Sequence, residues 1–206
     1  MDKPQSENAG IFAAVTARAV STLRRSRGSA GEGTAGERTA SAFSGMSSVQ
    51  ELNDFITATG KPWYHGGGYA MLQWCLHYGL EAVETRDLDI FVLGTDEHAA
   101  VHLALFGVAP EQLGTKPPLG GYEVSLLSAR GEPERFLIDG VPVVSPLVLA
   151  RNYQRSPFDE IKRRNQDADT ESDEGKQQRR ARRAGVMPEL LKMFNADISS
   201  GALTPM

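Results

Sequence analysis

The chain has 206 residues, 40% of them hydrophobic and 23% charged, with a formal net charge of −4 at pH 7. That is enough for one ordinary domain with appendages, and it excludes a globally basic nucleic-acid binder. No apolar run approaches the roughly 18 residues that a membrane span requires. Its one cysteine excludes an internal disulfide framework and a multi-cysteine zinc site. Cys75 sits in the apolar, helix-like stretch 71–76 and reads as a small core residue. A chain without disulfides suits a reducing compartment, so a cytoplasmic location is expected.

Residues 1–46 read as a flexible arm. The segment 11–27 carries Arg18, Arg24, Arg25 and Arg27 with few apolar anchors. The segment 28–36 is Gly, Ser, Ala, Thr and Glu only, which buries too little surface to offset the entropy of ordering. A basic, Ser- and Ala-rich leader raises the thought of a targeting or secretion segment. Asp2, Glu7, Glu32 and Glu37, and the want of a long apolar stretch, favour a solvated arm instead.

A folded α/β (α+β) domain is expected over 47–164. Ser48 and Glu51 make a capping box that opens a helix over 49–57, closed by Gly60. A short strand over 61–65 runs into Gly66-Gly67-Gly68, and a helix follows over 70–78 with Gly79 as its stop. Residues 87–93 read as a strand and 96–106 as a helix entered from Thr95. Strands follow over 122–127, 135–138 and 141–144. Ser145-Pro146 then supplies an N-cap with Pro at the first helical position, opening a helix to about Gln154. Helices and strands mix without a strict βαβ repeat.

Residues 165–206 read as a charged linker and a C-terminal helix. Asp167, Asp169, Glu171, Asp173 and Glu174 form an acidic block, answered by Lys176, Arg179, Arg180, Arg182 and Arg183. Opposed blocks of this kind are usually a solvated loop or a frayed helix, and an RNA-contacting arm is the competing reading of the arginines. Residues 187–194 form a short amphipathic helix that must pack on something, within the chain or on a protein partner.

The chemistry concentrates in two stretches. In Thr85-Arg86-Asp87-Leu88-Asp89-Ile90 two carboxylates fall at i and i+2 of a strand, so they share a face about 6.5–7 Å apart. Two such charges repel unless a cation lies between them, and Mg²⁺ is held by one or two carboxylates together with substrate phosphates. In His65-Gly66-Gly67-Gly68-Tyr69-Ala70 the glycines let backbone N–H groups approach an anion at a helix start. A phosphate cradle and an acidic pair are the complementary halves of a nucleotide–Mg²⁺ site.

Gly67-Gly68-Tyr69-Ala70, a helix, and then Thr85-Arg86-Asp87-Leu88-Asp89-Ile90 resemble the signature of polymerase-β-like nucleotidyltransferases, most of all the small toxin-type and abortive-infection-type members. The resemblance covers about 47–169 and rests on some fifteen positions. It implies a mixed sheet carrying three carboxylates and two divalent metals, Mg²⁺ or Mn²⁺. The activity implied is transfer of an NMP from an NTP, such as ATP, to a hydroxyl on RNA, protein or a small molecule. By the same resemblance Asp87, Asp89 and Glu123 are the catalytic metal ligands, Glu123 standing where Asp is more usual. Gly67, Gly68, Tyr69, Arg86 and Arg151 are the nucleotide contacts. The alternative is an inactive protein of this fold that binds nucleotide or a protein partner. Val83 stands where the family often has Arg, and Arg163 and Asp169 loosely echo a downstream motif.

Other chemistries lack their parts. His65-Gly66-Gly67-Gly68 matches an esterase oxyanion motif, but the chain has no Gly-x-Ser-x-Gly elbow. His98 and His102 are spaced to bind zinc from one helix, yet Ala99 follows His98 and no third ligand is evident, so they read as a solvated or part-buried pair. No Walker-type Gly-x-x-x-x-Gly-Lys-Ser/Thr occurs.

Overall fold

A computed structural model describes residues 41–154 and 173–206; most of the expected arm, together with Arg163 and Asp169, lies outside the described residues. Among these are five helices, α1 (Val49–Ala58), α2 (Gly67–His77), α3 (Thr95–Phe106), α4 (Pro146–Gln154) and α5 (Asp173–Ser200). The strands are β1 (Trp63–His65), β2 (Asp87–Leu93), β3 (Pro118–Leu119), β4 (Tyr122–Ala129), β5 (Arg135–Ile138) and β6 (Val141–Val144). They form one mixed sheet in the order β3-β4-β2-β1-β6-β5. β1 and β6 are parallel with His65 opposite Val143, whereas β3–β4 and β5–β6 are antiparallel. None of the described helices is long and apolar enough to cross a membrane. The chain divides into two compact units, Met1–Trp63 with Phe91–Gly131, and Tyr64–Ile90 with Glu132–Met206.

In the first unit, the start of α1 is made by its own side chains. Ser48 Oγ accepts from the Glu51 N–H at 3.2 Å, and the Glu51 carboxylate accepts from the Ser47 N–H at 2.6 Å and from Ser47 Oγ at 3.1 Å. The return bond of the capping box thus lands one residue earlier than the motif predicts, and it holds the Glu51 carboxyl below its ordinary pKa. The helix buries Leu52, Asn53 and Ile56. Residues 41–46, read from sequence as the end of the arm, contain a 3-10 turn (Ala42–Gly45) whose Phe43 ring lies 5.2 Å from that of Phe106. Ser41 Oγ donates to Leu105 O at 2.9 Å.

The histidines expected to be solvated or part-buried are buried, His98 at 8% and His102 at 3% exposure. His98 Nε2 lies 3.0 Å from Leu126 O and His102 Nδ1 lies 2.9 Å from Val108 O, so each ring is held by a backbone carbonyl. Burial is also the main reason that the His102 pKa lies below its ordinary value. The pair fixes α3 to β4 and to its own C-terminal turn, a structural role. β4 runs two residues beyond its expected end, and the hairpin partner β3 was not foreseen because it is only two residues long.

The second unit is built around three rings. Trp74 of α2, Phe136 of β5 and Phe194 of α5 meet edge-on with centroids 5.2–5.8 Å apart, a geometry that sets the positive rim of one ring against the negative face of the next. Trp74 Nε1 donates to Val144 O at 2.8 Å, so the polar edge of the largest buried residue is satisfied. Cys75 is fully buried beside it, and burial raises its thiol pKa, in keeping with a core residue. β5 and β6 turn through Asp139 and Gly140, whose φ values of 51° and 81° are those of the tight type I′ hairpin. Ser145, fully buried, opens α4: its Oγ accepts from the Val148 N–H at 3.4 Å.

The C-terminal region differs most from the sequence reading. The basic block and the short amphipathic helix form one 28-residue helix with Pro188 inside it. Met187, Leu190 and Phe194 recur at helical spacing and are buried, while Pro188 and Glu189 are exposed. Once that stripe is anchored, the preceding Gln, Arg and Ala residues extend the helix, because they lose little conformational freedom in it. Phe194→Ala is therefore expected to cost about 3–5 kcal/mol in urea unfolding. Leu137→Ala, on a residue that is 52% exposed, is expected to stay within about 0.5 kcal/mol of the parent.

Candidate functional site

The two stretches singled out from the sequence meet because of how β1 and β2 pair. Leu93 N–H donates to Pro62 O at 2.9 Å and Gly66 N–H donates to Asp89 O at 3.0 Å, bonds that run the strands antiparallel. The end of β1, with its glycines, therefore faces the beginning of β2, with its aspartates. Along β2, Leu88, Ile90 and Val92 are fully buried, whereas Asp87 is exposed and Asp89 half-buried. The period-two expectation holds, and both carboxylates lie on the more open face.

The glycines do not form a loop ahead of the helix, as the sequence suggested. Gly67 and Gly68 are the first two residues of α2, which begins three residues earlier than expected. Gly67 has φ +56°, and a Cβ there would collide with Asp89 Oδ2. Only glycine satisfies both the left-handed backbone and the approach of the carboxylate. A Cβ on Gly68 would come 2.5 Å from Thr85 Oγ1 and 2.6 Å from Arg183 Nη2. Gly66 is the N-cap and carries no side chain to cap the first turn.

Arg183 is the residue that sequence reasoning misplaced. It was grouped with a solvated basic block, yet its Nη2 donates to Glu84 O at 3.2 Å, beside the entry to β2. No local signal announces this, since the contact spans 99 positions. Next to it, a cavity of about 250 Å³ is lined by Glu81, Ala82, Val83, Arg182, Gly185 and Val186. That is below the roughly 300–1,000 Å³ of ordinary ligand pockets. Val83, placed by the resemblance where a cation is common, is buried at 3%.

The other expected residues lie on several elements. Tyr69 is 9% exposed and its ring lies 4.6 Å from that of His65, so it packs the glycine turn from within. Arg86 is exposed immediately before the acidic pair, and Arg151 is exposed in the last turn of α4. Glu123, in the first unit, is exposed near the start of β4. Among the described residues no three His, Cys, Asp or Glu side chains form a group able to hold a metal ion. A hard cation can be held by one or two carboxylates and complete its shell with substrate oxygens, and Asp87 and Asp89 are two carboxylates on one face of β2.

His65 supports this turn from below. It is fully buried, and burial pushes its pKa down to about 3, against a smaller opposing pull from the Asp89 backbone. Above pH 6.5 the ring is neutral in both folded and unfolded chains. Below that, the unfolded chain takes up a proton that the fold refuses, so stability is lost as the pH falls from 6.5 towards 3. The His65 contribution to that loss should reach about 2 kcal/mol by pH 5. His65→Gln should flatten the acid limb of a stability–pH curve measured by urea unfolding.

Gly67→Ala should cost at least about 1–2 kcal/mol from its backbone conformation alone, plus the displacement of the Asp89 carboxylate. In thermal unfolding, adding Asp89→Ala should recover the second part of the loss and not the first. Compared with protein-family models, curated proteins and solved structures, the chain finds no match.

Proposed function

We propose that this protein is a nucleotidyltransferase that moves an NMP from an NTP, such as ATP, to an acceptor hydroxyl on RNA, protein or a small molecule. The observation that carries the reading is the contact between Asp89 and Gly67. A carboxylate stands over the uncapped first turn of a helix that only glycine can begin in this way. Backbone N–H groups that attract phosphate and an acidic pair that attracts a cation thus occupy one place in the chain.

In this reading the acceptor oxygen forms a bond to the α-phosphorus as the bond from that phosphorus to the bridging oxygen breaks. Pyrophosphate leaves, and the hydroxyl proton passes to a carboxylate of the set. Gly67 and Gly68 hold the phosphates through backbone N–H groups, and exposed Arg86 adds positive charge beside them. Asp87 and Asp89 would hold Mg²⁺ or Mn²⁺, which supplies neutralisation of charge on the triphosphate. Tyr69 acts by packing the turn, and Arg151, exposed in the last turn of α4, is a further cation of this unit. A second reading, nucleotide binding without transfer, depends on whether a third carboxylate joins the first two, and no such group of three stands among the described residues.

The test is label transfer from each NTP labelled at its α-phosphate, with Mg²⁺, offering total RNA and the protein itself as acceptors. Labelled product is expected with the parent and should fall at least about a hundredfold in Asp87→Ala/Asp89→Ala. Absence of both transfer and Mg²⁺-dependent NTP binding in the parent would overturn the proposal. Binding without transfer to any acceptor class would support the second reading.

A further inference from the structure

We infer that Arg183 is a positioning residue of this site: carried on α5, its guanidinium holds the entry to β2 against the first turn of α2. It thereby sets the distance between the acidic pair and the glycine backbone. The consequence for nucleotide binding rests on the proposed function, whereas the positioning itself does not.

Four observations converge. First, Arg183 Nη2 donates to Glu84 O at 3.2 Å, three residues before Asp87. Second, Thr85 Oγ1 donates to Asp87 O at 3.1 Å, so the segment gripped by the arginine is bonded onward to the first aspartate. Third, both Arg183 Nη2 and Thr85 Oγ1 occupy the space that a side chain on Gly68 would fill, 2.6 and 2.5 Å from its Cβ position. The guanidinium thus touches the helix start and the strand entry together. Fourth, residues 78–86 between α2 and β2 carry no regular structure. A segment with few ladder bonds opens easily unless something ties it down.

α5 is well suited to deliver that tie. Its Phe194 packs edge-on against Trp74, and the nearby Asp197 charge adds to burial in raising the Tyr78 hydroxyl pKa. Arg183 at Gly68, Phe194 at Trp74 and Asp197 at Tyr78 show contacts that advance in the same direction along both helices. The aromatic anchor therefore fixes where the arginine arrives, three turns earlier along the helix. A guanidinium suits the position better than an ammonium, because it is flat and presents donors in a fixed fork.

The experiment uses the full chain with Arg183→Met and Arg183→Lys, and Arg182→Met as a neighbour that loses the same charge. Without nucleotide, hydrogen exchange at amides 66–70 and 84–89 should quicken on the order of tenfold in Arg183→Met. It should quicken less in Arg183→Lys and stay unchanged in Arg182→Met, with amides around Phe194 protected throughout. Gly68→Ala, which displaces the guanidinium without altering α5, should quicken the same two segments. With a fluorescent non-hydrolysable ATP analogue, Arg183→Met should raise the Mg²⁺ concentration for half-maximal binding about tenfold, as loss of an outer support does at metal sites. Its affinity in EDTA should not change.

Unchanged exchange at both segments in Arg183→Met and Gly68→Ala overturns the inference, as does an equal effect from Arg182→Met. A loss of affinity in EDTA equal to that in Mg²⁺ overturns it too, since Arg183 would then touch phosphate itself. If the parent binds no nucleotide, the nucleotidyltransferase reading fails and the exchange arm still decides the role of Arg183.

Discussion

A methyl group on Gly67 would sit inside the Asp89 carboxylate, and one on Gly68 would sit against both Thr85 and Arg183. The missing side chains at these two positions are the constraint on which the arrangement depends. They let the start of a strand, a helix start and an arginine from a helix remote in sequence converge at one place. The backbone bond from Gly66 to Asp89 O pins that convergence to the sheet. Any side chain larger than hydrogen would force the carboxylate, the guanidinium or the helix itself to move.

Below the turn, the packing is apolar and costly to ionise. His65 is fully buried with Tyr69 against its ring, and Leu88, Ile90 and Val92 line the inner face of β2. The acidic pair therefore stands on a rigid, neutral base with its charge kept on the open face. That separation follows from alternation along one strand: the residues that anchor β2 and the residues with chemistry occupy opposite sides. In the proposed reading, a dry support of this kind keeps the carboxylates in position for a cation and a triphosphate.

The second unit shows how a polar helix is recruited to a site. α5 carries its apolar stripe in its C-terminal half, where Met187, Leu190 and Phe194 are buried. Its N-terminal half is charged, and from it Arg183 reaches the entry to β2 through a hydrogen bond of 3.2 Å to Glu84 O. Burial at one end and a directed polar contact at the other divide the work between stability and placement. The first unit has a similar division: buried His98 and His102 each set one ring nitrogen against a backbone carbonyl, a structural use of the side chain.

Local patterns determined much of what is seen. Ser48 with Glu51, Ser145 with Pro146 and the alternation of β2 are short-range signals, and their helix starts and strand face lie where those signals put them, because caps and periodicity act within a few residues. The glycines and aspartates were also legible as a pair of motifs. Tertiary structure alone decided that Gly67 and Gly68 lie inside the helix, that Asp89 covers one of them, and that Arg183 arrives over the other. It likewise turned the arginine block from a solvated stretch into the first half of a long helix. These outcomes depend on contacts between residues more than a hundred positions apart, Arg183 with Gly68 and Phe194 with Trp74. A helix gains most of its stability from what its apolar face packs against, and that partner is named only once the chain has folded.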